Sequence, residues 1–163
     1  MSTENIFSRI EEQIQSNGFT VTDKDHQRPW GGFFVIDETQ ASKFAQIYFE
    51  SMSADELNIS GKLSPKILVV QENKRLSWQY HHRRAEIWKV LEGPVGVVTS
   101  DTNKEGPLQK YSNNDVIRLH QGERHRLVGL NNWAVLAEIW QHTDPDNPSD
   151  EDDIVRVQDD FGR

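Results

Sequence analysis

Apolar positions along the chain follow two different spacings. Between Asn5 and Ser16, Ile6, Phe7, Ile10 and Ile14 recur three and four residues apart. That spacing predicts one amphipathic helix, with Gly18 placed to stop it. Such a helix is read as packing on the outside of something else, with no chemistry of its own. Residues 23–27 are polar and read as a linker, so residues 1–27 are taken as a helix and linker preceding one domain at 28–163. From Arg28 onward short extended runs take over. Strands are predicted near residues 30–35, 44–49, 66–70, 76–82, 86–91, 95–99, 109–111, 116–119, 125–128 and 134–140, separated by glycine-, proline- and asparagine-containing turns. Many short strands at such intervals predict an all-β sandwich or small barrel. Residues 51–64 read as an insertion between two strands, with a short helix at 53–57.

Within this pattern residues 76–88 stand out. Read as an extended strand, Gln79, His81 and Arg83 share one face, while Trp78, Tyr80 and His82 share the other. A turn at Arg84 and Ala85 brings Glu86 back towards His81, so an amide oxygen, an imidazole and a carboxylate converge. That is most of a divalent-metal site. A fourth ligand is offered by His125, which opens a predicted strand after the glycine turn at Gly122. A single histidine is more often a surface or core residue; two segments on strands of one barrel raise the odds of a site.

Composition narrows the alternatives. A chain of 163 residues, 35% apolar and 27% charged, is long enough for one domain with its own core. It contains no cysteine, so disulfides and thiolate ligands are excluded and any metal must be held by nitrogen and oxygen. No apolar run is long enough to span a bilayer, and the N-terminal residues lack the pattern of a signal peptide, which points to the cytoplasm. The net charge of −8 argues against nucleic acid or an anionic membrane as partner. Six acids fall between Asp144 and Asp153, a run read as a solvated loop, so the rest of the chain is nearly balanced and an anionic small molecule stays open.

The motif Gln79-x-His81-His82-x-Arg84-Ala85-Glu86-x-Trp88, followed by Gly93, resembles the first cupin motif of the type II mannose-6-phosphate isomerases. That module is also the C-terminal domain of bifunctional enzymes carrying a mannose-1-phosphate guanylyltransferase domain. Arg28-Pro29-Trp30-Gly31 is similar to its opening, Gly122-x-x-His125-Arg126-Leu127 to its second cupin motif, and Glu151-Asp152-Asp153-Ile154-Val155-Arg156 with Asp160-Phe161-Gly162-Arg163 to its closing signature. The segments 64–68 and 76–81 also resemble the type I isomerases, whose metal site is Gln, His, Glu, His. Two departures are visible: Arg83 stands where the family has a histidine, and His120 where it has a proline. Arginine stays protonated and cannot ligate a cation; Gln79, His81, Glu86 and His125 still make a complete type I-like set.

The resemblance implies a double-stranded β-helix (cupin) jelly roll and an aldose–ketose isomerisation, most directly of mannose 6-phosphate to fructose 6-phosphate. It implies one divalent metal ion, with zinc the expected identity. A heptose phosphate or other sugar phosphate is a close variant, and a non-catalytic sugar- or metal-binding cupin is the rival from another class. Guanylyltransferase activity is not expected, since the chain shows no glycine-rich nucleotide loop. Lys66, His120 and Arg126 are the residues expected in catalysis, with the proton-moving base unassigned between His120, Lys66 and a metal-bound hydroxide. Arg83, Arg156 and Arg163 are expected to bind substrate, because a guanidinium fork suits a phosphate; for each alone a surface salt bridge is the ordinary role. The five tryptophans are read as sandwich core, with a place lining a sugar site as the lesser reading for Trp30 or Trp88, and a two-fold homodimer is the default assembly.

Overall fold

In the computed structural model, which describes residues 3–57 and 61–163, helix α1 (Thr3–Ser16) leads into β1 (Val21–Arg28) and β2 (Gly31–Ile36). A 3-10 turn at Glu38–Gln40, α2 (Ala41–Tyr48) and α3 (Ala54–Leu57) follow. The other strands are β3 (Lys66–Val70), β4 (Trp78–Tyr80), β5 (Arg84–Glu92), β6 (Val95–Ser100), β7 (Leu108–Tyr111), β8 (Val116–Leu119), β9 (Arg124–Val128), β10 (Ala134–His142) and β11 (Val155–Gln158). They form two antiparallel sheets, ordered β1-β2-β3-β10-β5-β8 and β11-β4-β9-β6-β7. From β3 to β11 the chain crosses between the sheets at every step except β6 to β7, which gives the expected cupin jelly roll, while β1 and β2 extend the larger sheet. None of the described helices is long and apolar enough to cross a membrane.

Three elements differ from the sequence reading. Of residues 44–49, expected as a strand, 44–48 belong to α2 and Phe49 is its C-cap. Their aromatic content favours a strand, but Ala41, Phe44, Ala45 and Tyr48 fall at helical spacing and pack on the core, leaving Ile47 41% exposed. Residues 23–27, expected as a linker, lie in β1. As an edge strand, β1 pairs among the described residues only with β2 and buries none of its residues fully, so a polar sequence suffices. β11 was not anticipated; it extends the smaller sheet by pairing with β4. The short helix expected at 53–57 is α3, whereas residues 58–60 of the same insertion lie outside the described residues.

The middle of the larger sheet is buried on both faces, and the parity of each position decides what it meets. On β3, β5 and β10 the positions Ile67, Val69, Ile87, Val135, Ala137 and Ile139 face one cluster, formed with α1, α2, Phe34 and Ile36. The helix contributes Ile6, Phe7, Ile10 and Ile14, all at most 3% exposed, so the helical stripe read from the sequence is a buried face. The intervening positions point between the sheets. There Val70, Leu68, Val90, Ala134 and Leu136 form a second cluster with Val95, Val97 and Leu127. Further along the same face, Lys66, Glu86, Trp88, Glu138 and Trp140 replace the aliphatics. Register fixes this gradient: Leu136 pairs with Leu68 and Val90, Glu138 with Lys66 and Trp88, and Trp140 with Glu86. One end of the inter-sheet space is therefore oily and the other carries the charged groups.

Candidate metal centre

β4 ends at Tyr80, and the chain bends through His81, His82 and Arg83 before β5 begins at Arg84. Asp153 fixes the bend, its carboxylate accepting the backbone N–H groups of His82 and Arg83 at 2.9 Å each and the Ser149 hydroxyl at 2.6 Å. Its backbone carbonyl accepts His81 Nδ1–H at 2.7 Å. Burial opposes ionisation of this carboxyl, but the Ser149 and backbone hydrogen bonds outweigh it and bring the pKa down to about 2. The bend changes the strand parity. Gln79 and His81 point inward as expected, but the next inward guanidinium is Arg84 rather than Arg83.

His81, Glu86 and His125 each bring one ligand atom into a cluster whose members lie within 4.8 Å of one another, and all three are buried. His81 Nε2 is 3.1 Å and His125 Nε2 is 3.8 Å from the Glu86 carboxylate. His125 arrives from β9, opposite Gln79 in the register, and its Nδ1 donates to the Glu123 carbonyl at 3.0 Å. Carbonyls only accept, so both rings carry the proton on Nδ1 and turn the Nε2 lone pair toward the carboxylate. Such outer hydrogen bonds set the tautomer and angle of histidine ligands in metal sites. Among the described residues, His125 Nε2 is also buried with no hydrogen-bond partner. Lone pairs converging on one point, one of them orphaned, fit a divalent cation.

The electrostatics agree with that fit. Burial lowers the His125 pKa to about 4, so the ring is neutral at physiological pH. For Glu86, burial opposes ionisation, but the charge of Arg84 favours it, and the carboxyl is held well below the usual carboxylate range. Arg84 donates from Nε to Glu86 at 2.9 Å, lies over the Trp140 ring at 3.6 Å, and is tethered to Ser149 and the Asp150 carbonyl. The Gln79 amide is less committed: its oxygen accepts the Ser77 hydroxyl at 2.6 Å while its nitrogen stands 3.4 Å from His81 Nε2.

A cavity of about 410 Å³ opens beside this cluster. Gln79, Arg84 and Glu86 lie on its wall with Trp30, Trp88, Trp140, Lys66, Glu138, Arg28, Arg156 and Arg163. Trp30 and Trp88, for which a place at a sugar site was the lesser expectation, therefore line the cavity, as does Trp140, expected as core. Lys66 is 6% exposed, paired with Glu151, with its ammonium 4.0 Å from the Trp140 ring centre.

Other expected site residues lie elsewhere. Arg83 is outside the cavity wall and faces Asp150 and Asp153 at 3.6 and 4.0 Å, because the bend turned it away. His120 is exposed at the end of β8, where its N–H is held by Glu123, and does not line the cavity. Arg126 is fully buried on the other face of β9 from His125 and binds the Leu76 carbonyl, Glu105 and Gln158, which is a fastening of the smaller sheet. Arg84 and Glu138 were missed as site residues. The sequence carried one signal for the second, a lone carboxylate inside the otherwise apolar run 134–140. Burial raises the Glu138 pKa to about 8, with the charge of Glu86 adding to the effect.

The family model described as mannose-6-phosphate isomerase C-terminal matches residues 41–159. Among curated proteins, the chain is 30% identical over 132 residues to the alginate biosynthesis protein AlgA of Pseudomonas putida, covering 79% of this chain and 26% of the relative. It is 25% identical over 158 residues to the mannose-1-phosphate guanylyltransferase of Escherichia coli, covering 95% of this chain and 27% of the relative. The chain thus spans about a quarter of the length of these relatives. Among solved structures, oxalate decarboxylase (B. subtilis) aligns with a TM-score of 0.57 at 14% identity, over 85% of this chain and 31% of that one. The capsular polysaccharide assembling protein CapF from Staphylococcus aureus aligns with a TM-score of 0.53 at 14% identity, over 86% of this chain and 32% of that one. These likenesses establish the shared fold.

Proposed function

The chain belongs to the mannose-6-phosphate isomerase C-terminal family, and we propose that it is a divalent-metal-dependent aldose–ketose isomerase of a phosphorylated sugar. Mannose 6-phosphate and fructose 6-phosphate are the leading pair. One observation carries the reading: the buried His81–Glu86–His125 cluster adjoins a cavity lined by tryptophans and by Lys66, Arg28, Arg156 and Arg163. Its volume of about 410 Å³ lies in the range of small-molecule sites. A divalent cation held by His81, Glu86, His125 and a turned Gln79 amide would supply Lewis acidity toward sugar oxygens, and zinc suits this set of two imidazole nitrogens and two oxygens.

The remaining roles belong to side chains on the page. Arg28, Arg156 and Arg163 at the rim present guanidinium groups to a phosphate, and Lys66 adds a buried ammonium. Trp30 and Trp88 offer flat apolar faces to a sugar ring. Arg84 keeps Glu86 ionised and so preserves an anionic ligand. Another sugar phosphate, such as a heptose phosphate, suits the same chemistry with different rim contacts.

The test is conversion of mannose 6-phosphate, with a heptose phosphate alongside, in a coupled assay on metal-loaded protein, with His125→Ala as control. Turnover lost in the variant supports the reading, whereas equal turnover in both is a contaminant's. A second reading is favoured by one contact. Arg84 Nη2 lies 3.3 Å from His81 Nε2, so a fixed cation already sits at the edge of the cluster. A non-catalytic sugar-binding cupin follows if sugar phosphates bind but none is converted.

A further inference from the structure

We infer that Glu138 is the group that carries the proton between C1 and C2 of the sugar, an assignment that rests on the isomerase reading above. The isomerisation needs a base, and neither residue expected from the sequence supplies one. His120 faces solvent away from the cavity, and Lys66 is engaged with Glu151. Glu138 is 5% exposed and lines the cavity. Its carboxyl is oriented by two indole N–H groups, from Trp88 at 2.8 Å on one oxygen and from Trp140 at 3.1 Å on the other. Each oxygen keeps a second lone pair for a substrate proton.

Its position relative to the metal cluster follows from the register. Trp140 pairs with Glu86, and Glu138 pairs with Trp88, so Glu138 and Glu86 are diagonal neighbours on one face of the sheet. Diagonal neighbours stand about 7–8 Å apart. That separation leaves room for the two reacting carbons between the ligand cluster and the base. Glu138 also lies outside the group of converging ligand atoms, so its carboxylate is not consumed as a ligand. Two positions earlier the same face holds Leu136, which shows what packing alone selects there.

The step balances without a further reagent. The Glu138 carboxylate takes the C2 proton of the aldose, and the C2–H electron pair becomes the C1–C2 double bond. The C1 carbonyl pair moves to O1, which receives the proton leaving the C2 hydroxyl. Glu138 then returns its proton to C1 as the O2 carbonyl forms. One proton has moved from C2 to C1 and one from O2 to O1.

The experiment uses the metal-loaded full chain with mannose 6-phosphate in H₂O and in D₂O. Glu138→Gln is expected to lower kcat about 10²–10⁴-fold, with KM, bound metal and the thermal midpoint near wild type, and to abolish deuterium incorporation into the sugar. Should Glu138→Gln fail to fold, Glu138→Asp decides, since it retains the carboxyl but withdraws it; a tenfold or greater loss of kcat at unchanged KM is expected. Wild-type turnover with either folded variant equally active, or with deuterium exchange intact in Glu138→Gln, overturns the assignment and leaves the isomerase reading standing. Absence of turnover and exchange in the metal-loaded wild type overturns both.

Discussion

Replacing Asp153 with Asn tests whether the bend that sets the site is held by a charge. The carboxylate accepts three hydrogen bonds, from Ser149 and from the His82 and Arg83 backbone. The amide can accept with only one of its two heavy atoms, so at least one buried N–H or O–H loses its partner. Lowering of the pKa from 3.8 to about 2, at 1.36 kcal/mol per unit, makes the ionised form worth roughly 2.5 kcal/mol. For a chain of this size that is about 5–10 °C in thermal midpoint. The folded pKa is depressed, so the stabilisation is present above the unfolded value near 4 and is lost as pH falls through about 2. Urea titrations of wild type and Asp153→Asn are expected to differ equally at pH 7 and pH 5, with the gap narrowing below pH 4. His81 leans on the Asp153 carbonyl, so chelator competition at pH 7 is expected to show metal binding weakened by about 10–100-fold. A variant as stable as wild type at pH 7, or a deficit as large at pH 3 as at pH 7, refutes the argument.

Four other outcomes follow from the same geometry. His125→Ala is expected to reduce bound divalent metal from about one ion per chain to a trace, measured by elemental analysis after dialysis. Lys66→Met is expected to weaken binding of a phosphorylated sugar at least about tenfold while leaving a neutral sugar unaffected, which calorimetry separates. Phe7→Ala removes a ring that stacks on His26 at 4.3 Å and meets Trp133 edge-on. It should cost about 3–5 kcal/mol in denaturant titration with metal stoichiometry unaltered, because Phe7 lies on the helix side of the sheet. Gly31→Ala places a Cβ 2.0 Å from the Val69 carbonyl oxygen at a φ of +139°, so circular dichroism is expected to show a chain that no longer folds cooperatively at 25 °C.

Local periodicity was enough for α1 and for most strands, because each presents one face to the core and repeats it. It failed where tertiary contacts override spacing. The aromatic run is helical over 44–48 because Ala41 and Ala45 allow close packing on the core, a condition set by distant strands. β1 is polar because it is an edge. Three of the candidate ligands are brought together, His81 from the bend after β4, Glu86 from β5 and His125 from β9. Face alternation misassigned Arg83 because it cannot register a bend, and this bend is fixed by Asp153, 70 residues away. Glu138 went unnoticed for a related reason. A lone carboxylate in an apolar run was its one signal, and the cross-strand pairing to Lys66 and Trp88 is what places it on the cavity wall.

The parity of β3 and β10 has a practical consequence for protein engineering. Alternate residues of one strand serve different masters: Ile67, Val135, Ala137 and Ile139 belong to the helix-side core, while Lys66, Glu138 and Trp140 line the cavity. A combinatorial library drawn from the first set explores robustness with the chemistry held constant, and one drawn from the second explores selectivity with the scaffold held constant. A single-residue insertion in β10 exchanges the two sets, so the strand reads like text with a fixed reading frame.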